Sequence, residues 1–73
     1  MAVVCKFVTA NHLPVVYKPV CLQSEGGRFF STTNATGAAC WFEAKPQLRG
    51  EIITGGKVIY TGRIPQKFIL TIK

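Results

Sequence analysis

The chain has 73 residues, of which 48% are hydrophobic and 16% are charged. This composition excludes a disordered chain, and the length allows one domain, residues 1–73, without room for an enzyme cleft beside an independent core. Nine Lys and Arg against three Glu give a net charge of +6, which attracts phosphate groups, acidic proteins or anionic lipids.

Short apolar segments alternate with turn residues, and no segment keeps a helical period, which is typical of an all-β fold. The predicted strands are residues 3–9, 15–23, 28–33, 38–44, 51–54, 57–62 and 67–72. Pro19 falls inside the second segment and has no N–H to donate, which indicates a sheet edge or a bulge there. Strands this short bury their apolar faces only as two packed layers or a small barrel.

Turn residues separate the predicted strands. Pro14 presets the backbone of the first corner. At the corner that follows the third strand, the Asn34 side chain can accept a hydrogen bond from the backbone N–H two residues later, and Gly37 can adopt the left-handed conformation that the turn needs. Asn34-Ala35-Thr36 is also formally a glycosylation sequon. We interpret the stretch as a turn, because we expect no secretory signal.

The expected compartment follows from the start of the chain and from its cysteines. Met1 leads directly into an apolar segment without the basic and long apolar regions of a signal peptide, and no apolar run is long enough to cross a membrane. The three Cys are odd in number and far apart, unlike the even set of a secreted disulfide scaffold. We therefore expect the chain in the cytoplasm or in a virion.

Few residues of the sequence are suited to metal binding or catalysis. Cys5, Cys21, Cys40 and His12 would make a zinc-binding set by count, but no two of them form the close pair that structural zinc sites use. We expect buried thiols and no metal. One His, no Asp and three Glu do not suggest a converging catalytic group, so we predict no enzyme activity and no cofactor.

The stretch "NHLPVVYKPVCL", followed by "STTNATGAACWF", resembles the carboxypeptidase regulatory-like, or transthyretin-like, β-sandwich family. That family reads approximately x-Pro-Val-x-Gly-Ala-x-Val-x-Leu and then Thr-Asp-x-x-Gly-x-aromatic. The matching residues are Pro14, Val15, Val20 and Leu22, and then Thr33, Asn34, Gly37 and Trp41. The family's Gly-Ala pair is replaced by Tyr17 and Lys18, and its Asp by Asn34. The resemblance covers about residues 3–54. It implies a seven-stranded Ig-like or transthyretin-like two-sheet sandwich, acting as a non-catalytic accessory or assembly module.

Neighbouring bulky residues in the predicted strands cannot share one core, because successive side chains of a strand point to opposite faces. The family register sends Trp41 inward and Cys40 and Phe42 outward. Alternation in the last strand places Ile69 on the opposite face from its apolar neighbours. The predicted partner-contact residues are Phe29, Cys40, Phe42 and Ile69. They would supply apolar anchors inside a basic rim.

The leading hypothesis is a structural module that docks on a larger protein assembly, as a homo- or hetero-oligomer, with its positive charge facing an acidic partner. Its concrete form is a small virion protein, such as a capsid decoration or cement protein. One alternative is a basic nucleic-acid-binding β-barrel that stacks bases on exposed rings. Another is a carbohydrate-binding or adhesive β-sandwich.

Overall fold

The computed structural model describes residues 2–72, which form seven β-strands and no helix. The strands are β1 Val3–Thr9, β2 Pro19–Ser24, β3 Gly27–Thr32, β4 Ala38–Trp41, β5 Arg49–Thr54, β6 Lys57–Arg63 and β7 Lys67–Ile72. They form a three-stranded sheet in the order β4-β1-β7 and a four-stranded sheet in the order β3-β2-β5-β6. The predicted seven-stranded two-sheet sandwich is therefore confirmed.

The connectivity combines one parallel pair with antiparallel neighbours. β1 and β7, the first and last strands, pair in parallel, and every other pair is antiparallel. This order differs from that of immunoglobulin constant domains, in which the first, second, fourth and fifth strands share a sheet. The free edges are β4 and β7 in one sheet and β3 and β6 in the other.

The core lies between the sheets and is built by alternation. Along β1, Val3, Cys5 and Phe7 are fully buried, whereas Lys6 between them is exposed. Trp41 enters from β4 and packs edge-on against Phe7, with ring centroids 6.4 Å apart. The remaining buried apolar side chains of the core cluster are Val20, Leu22, Ala39, Ala44, Ile52 and Ile64. The prediction that Trp41 points inward is confirmed.

A β-bulge in β6 sends two consecutive side chains toward the core. Ile52 pairs with Tyr60, but the next residue, Ile53, pairs with Val58. Ile59 is therefore the extra residue, and it packs against the core together with Tyr60. The Tyr60 hydroxyl donates to the Arg63 carbonyl at 2.6 Å. The bulge thus lets two consecutive side chains of this edge strand contact the core, where a regular strand would place only one of them there.

The second strand begins later than predicted, at Pro19 instead of residue 15. Tyr17 adopts a φ of 53°, which an extended strand cannot contain. Its N–H donates to the Thr33 carbonyl at 3.0 Å, and the Lys18 N–H donates to the Thr33 hydroxyl at 2.8 Å. The side chain and backbone of buried Thr33 thus hold the irregular segment in place.

Pro19 is not at a sheet edge or in a bulge, so that prediction is wrong. It occupies the first position of β2, which lies between β3 and β5. The first residue of a strand is a position where a missing N–H is tolerated. The fourth strand was also predicted too long, because the chain turns after Trp41 and the Ala44 N–H donates to the Trp41 carbonyl at 3.2 Å.

The corner from Asn34 to Gly37 has the predicted form. The Asn34 side-chain oxygen accepts from the N–H groups of Thr36 at 2.9 Å and Ala38 at 3.1 Å. Gly37 has a φ of 83°, and its carbonyl accepts from the Phe7 N–H at 2.8 Å. At the first corner, Pro14 forms an isolated bridge with Val8. The two corners therefore meet beside the end of β1.

Gly37→Ala should destabilise the fold strongly. An added Cβ would lie 2.6 Å from the Phe7 carbonyl oxygen. The steric clash and the unfavourable left-handed conformation together should lower the free energy of unfolding by roughly 2–5 kcal/mol. Gly55→Ala is the matched control, because Gly55 also has a positive φ, 59°, but an added Cβ would have no neighbour within 4 Å. It should cost about 1–2 kcal/mol. Urea unfolding measures both, and equal losses would contradict the proposed backbone clash.

Candidate partner-contact surfaces

The outward face of the three-stranded sheet carries apolar side chains interspersed with two lysines. Strand register places Cys40, Val4 and Lys67 in one row across the sheet and Ala38, Lys6 and Ile69 in the next. We call these six residues the β1 face. A shallow groove of about 500 Å³ runs over it, lined by Val4, Lys6, Ala38, Lys67, Phe68 and Ile69.

The structure brings two of the predicted contact residues, Cys40 and Ile69, onto the β1 face. Ile69 is 66% exposed, whereas Cys40 is half-buried. Phe42, the third predicted contact, follows the end of β4 and is 77% exposed. These three residues are therefore positioned as the alternation argument expected. Val4 and Lys6 belong to the same surface and were not identified from the sequence.

Phe29, the fourth predicted contact, is half-buried and faces the core side of its sheet, so its role in partner contact stays a prediction. It pairs with buried Leu22 in the β2–β3 hairpin, and directly paired residues project to the same face of a sheet. Phe29 consequently packs against the core. The exposed ring of the pair is Phe30, which pairs with Cys21 and is 75% exposed.

A second apolar surface lies on the outward side of the four-stranded sheet. Cys21 lies between Phe30 of β3 and Ile53 of β5, and Ile53 pairs with Val58 of β6. Val58 is 51% exposed. A hollow of about 440 Å³ covers part of this surface and reaches the corner at Gly55. Both faces of the sandwich thus expose apolar side chains.

The third surface is a furrow along the flank where the edge strands β3 and β4 adjoin. A hollow of about 410 Å³ is lined by Arg28, Phe29, Phe30, Cys40, Trp41, Phe42 and Glu43. A further hollow of about 310 Å³ shares Phe29 and Glu43 and adds Glu25, Gly26, Lys45 and Leu48. We call the two together the aromatic furrow. It gathers four of the eight aromatic residues of the chain.

Trp41 has a polar atom without a partner in the described part of the chain. Its side chain is 2% exposed, and the indole Nε1 is buried with no hydrogen-bond acceptor. A buried unsatisfied N–H costs about 1–3 kcal/mol. The Trp41 ring nevertheless fills the core beside Phe7, and the apolar area that it buries opposes this cost.

The three thiols are free and lie in different environments. Cys5 is fully buried in the core, and burial raises its pKa from 9.0 to about 12. Cys21 and Cys40 are half-buried on opposite outer faces, so the expectation that all three are buried holds fully for Cys5 alone. Within residues 2–72, no three His, Cys, Asp or Glu side chains lie close enough to hold a metal ion.

None of the described residues, 2–72, belongs to a helix with the length and apolarity needed to cross a membrane. Comparisons of the chain with protein-family models, with curated proteins and with solved structures found no match. What the chain does must therefore be inferred from its own three surfaces.

Replacing Phe29 or Phe30 by Ala should affect stability very differently. Phe29→Ala removes a ring that packs against the core and should cost roughly 2–4 kcal/mol. Phe30→Ala removes a ring that is 75% exposed and should change the free energy of unfolding by about 0.5 kcal/mol or less. Urea unfolding of both variants measures the difference. A larger loss for Phe30→Ala would mean that the hairpin register is inverted.

The buried Cys5 thiol should make stability depend on alkaline pH. In the unfolded chain the thiol ionises near its ordinary pKa of 9.0, whereas in the native state its pKa is about 12. The unfolded state therefore loses its proton first, and this contribution to stability falls as pH rises from about 9 to about 12. The stability advantage of the wild type over Cys5→Ala should shrink between about pH 8 and about pH 10.5. Urea unfolding of both proteins tests this, and a constant difference would contradict it.

Proposed function

We propose that this chain is a non-enzymatic structural module that docks on a larger protein assembly through its β1 face. The observation that carries the proposal is the mixture of apolar Val4, Ala38 and Ile69 with exposed Lys6 and Lys67 on this one face. The concrete form of the proposal is a small virion protein that decorates or cements a capsid. Its location would then be the virion, or the cytoplasm before assembly.

The chemistry of the β1 face favours an acidic partner with an apolar patch. Lys6 and Lys67 are exposed beside the groove, and together with the net charge of +6 they favour approach to negative surfaces. Burying the exposed part of Ile69 would contribute up to about 1.5–3 kcal/mol. An apolar anchor surrounded by charges is the arrangement of a protein-contact surface.

The same charge favours a different protein as partner over a second copy of the chain. Two copies that each carry +6 repel one another, and like charges brought together at an interface oppose binding. A homo-oligomer through the β1 face would also bring Lys6 and Lys67 of both copies together. We therefore favour a hetero-oligomeric assembly.

Membership in the carboxypeptidase regulatory-like or transthyretin-like family remains part of the proposal. The corner that carries the second half of the motif is supported by the hydrogen bonds to the Asn34 oxygen and by the φ of Gly37. The two-sheet fold is compatible with that resemblance. It favours an accessory or assembly role, because the family resemblance implies domains without catalytic activity.

Nucleic-acid binding remains the principal competing function. The strands form two separate sheets, so any such activity would belong to a sandwich and not to a closed barrel. Carbohydrate binding is the other competing function. The candidate surface for either function is the aromatic furrow, where exposed Phe30 and Phe42 adjoin Arg28 and Lys45. Glu25 and Glu43 line the same furrow and offset its positive charge, which disfavours binding to phosphates.

Ile69→Glu should weaken docking strongly, whereas Val58→Glu should not. Ile69 is 66% exposed on the β1 face, and Val58, the matched control, is 51% exposed on the opposite sheet. A carboxylate at position 69 would remove the apolar anchor and repel an acidic partner, weakening binding by about tenfold to a hundredfold. The measurement is co-sedimentation of each tagged variant with large particles purified from the source of the protein.

Wild-type chain that stays monomeric and never co-sediments with such particles at low salt would contradict the proposal. So would equal loss of co-sedimentation in the two variants. A salt titration with duplex and single-stranded DNA separates the competing function, because binding through phosphates weakens linearly in log salt concentration. DNA binding of that kind, unaffected by Ile69→Glu, would favour the nucleic-acid alternative.

A further inference from the structure

The two sheets differ by one strand, and the difference lies on the flank formed by β6 and β7. Cα atoms of β3 and β4 approach within 8 Å of each other along their adjoining edges, whereas β6 and β7 have at most isolated approaches of this kind. Strands in a sheet are spaced about 4.8 Å apart, and packed sheets run nearly in line. A three-stranded and a four-stranded sheet that start together at β4 and β3 therefore end unevenly. The smaller sheet has a vacant strand position beside β7, facing β6.

The side chains that border this position are incompletely covered. The inward apolar side chains of the two strands pack against the core but are all only half-buried: Ile59, Tyr60, Phe68, Leu70 and Ile72. We call these five residues the open flank. On the opposite flank, by contrast, Trp41 of the edge strand β4 is 2% exposed.

The gap between β6 and β7 is widest at one end of the open flank. Near the connection of the two strands, the rings of Tyr60 and Phe68 touch, with centroids 5.6 Å apart. At the other end a hollow of about 590 Å³ separates the strands, lined by Lys18, Thr54, Gly55, Lys57, Ile59, Thr71 and Ile72. The core is therefore left partly open beside the last residues of β7.

The backbone of β7 offers hydrogen-bonding groups to the same vacant position. The Val4 N–H donates to the Gln66 carbonyl at 2.9 Å, and in a regular parallel ladder alternate residues of a strand bond to one neighbour. Phe68 then bonds to β1, and the N–H and C=O groups of Ile69 and Thr71 point to the free edge. Among residues 2–72, no strand pairs with this edge.

The β7 edge is the least protected of the four sheet edges. Short strands and bulges discourage pairing with another chain. β4 has four residues and β6 contains a bulge, and β3 adjoins β4. β7 has six residues in unbroken register with β1 and contains no proline. Its one charged residue within the described chain, Lys67, stands at its first position.

The charge around the hollow is positive and is not balanced. Lys18 and Lys57 line it, and no carboxylate of the described residues does. Glu25 and Glu43 belong to the aromatic furrow on the opposite flank, and Glu51 lies on the outward side of β5. An occupant of the hollow is therefore favoured by a negative charge at this end.

We propose that the vacant position accepts an extended segment of another protein, which pairs with β7 as an added strand. One of its apolar side chains covers Ile59 and Ile72, and an acidic side chain lies beside Lys18 and Lys57. Strand addition of this kind takes its affinity from main-chain hydrogen bonds and its specificity from pockets for alternate side chains. The site does not rest on the proposed docking, because the β1 face projects from the outer side of the same sheet.

The charge disfavours a second copy of the chain as the occupant. Pairing of β7 with the β7 of another copy would bring Lys67 to the flank, and this strand contains no carboxylate. The cations lining each hollow would then have no partner, and like charges brought together oppose binding.

The test uses the full chain and ten-residue peptides in which apolar residues alternate with Thr, with Glu, Gln or Lys at one terminal polar position. Controls are scrambled peptides of the same composition and peptides with N-methyl groups on alternate backbone nitrogens. Fluorescence anisotropy at physiological salt measures the affinities. We expect binding that requires the alternation and prefers Glu to Gln and Gln to Lys. N-methylation of one alternate set should abolish binding, whereas the other set should be tolerated, because only one side of the added strand faces β7.

Variants and hydrogen exchange locate the site. Thr71→Pro removes an N–H that faces the free edge and should weaken binding about tenfold, whereas the matched control Thr71→Val keeps the N–H and the affinity. Proline is tolerated at such an edge position, and circular dichroism confirms that the variant is folded. Lys57→Gln should reduce the preference for Glu, and Lys45→Gln, an equally exposed lysine on the opposite flank, should not. In the wild type, bound peptide should protect the N–H groups of Ile69 and Thr71 from exchange.

The proposal is overturned if no alternating peptide binds better than its scrambled counterpart, or if the two N-methylated sets bind equally. A dimer of the chain alone that Thr71→Pro dissociates would also overturn it and would make a second copy the occupant. Its failure is distinguishable from failure of the docking function. Lys6→Glu should weaken co-sedimentation and leave peptide affinity unchanged, and Thr71→Pro should do the reverse.

Discussion

The pairing of β1 with a strand on each side determines both the interior and the candidate docking surface. Its odd-numbered residues from Val3 to Phe7 are buried, so Val4 and Lys6 must face outward. The neighbours follow the same rule, because paired residues share a face. A register slip of one residue in β1 would expose the core and bury Lys6. The core and the β1 face therefore depend on the same alternation and cannot vary independently.

The parts of the fold that depend on local chemistry were predictable from the sequence. The bounds of β1 and β7 match the predicted residues 3–9 and 67–72, because apolar residues there are bounded by turn residues. The Asn34 corner was predictable because one side chain accepts the hydrogen bonds of the turn and one Gly supplies its left-handed position. The start of β2 was not predictable from the sequence. The positive φ of Tyr17 depends on a hydrogen bond to Thr33, which is sixteen residues away in the sequence.

The candidate surfaces were predictable only in part, for a related reason. Alternation shows that one of two adjacent rings must face outward, but it does not say which. For Phe29 and Phe30 the choice follows from the hairpin, since a two-residue loop at Glu25 and Gly26 pairs Phe29 with Leu22. That signal was present in the sequence once the loop length was fixed. The furrow was beyond such reasoning, because it requires knowing that the edges of β3 and β4 adjoin.

The early end of β4 connects the core to the furrow. Had the strand continued to residue 44 as predicted, alternation from inward Trp41 would have turned Glu43 toward the core. A buried carboxylate without a partner is strongly unfavourable, so the chain has to leave the sheet before that position. The turn after Trp41 buries Ala44 instead and leaves Phe42 and Glu43 exposed at the flank. The position of Glu43 in the aromatic furrow is thus a direct consequence of excluding one charge from the core.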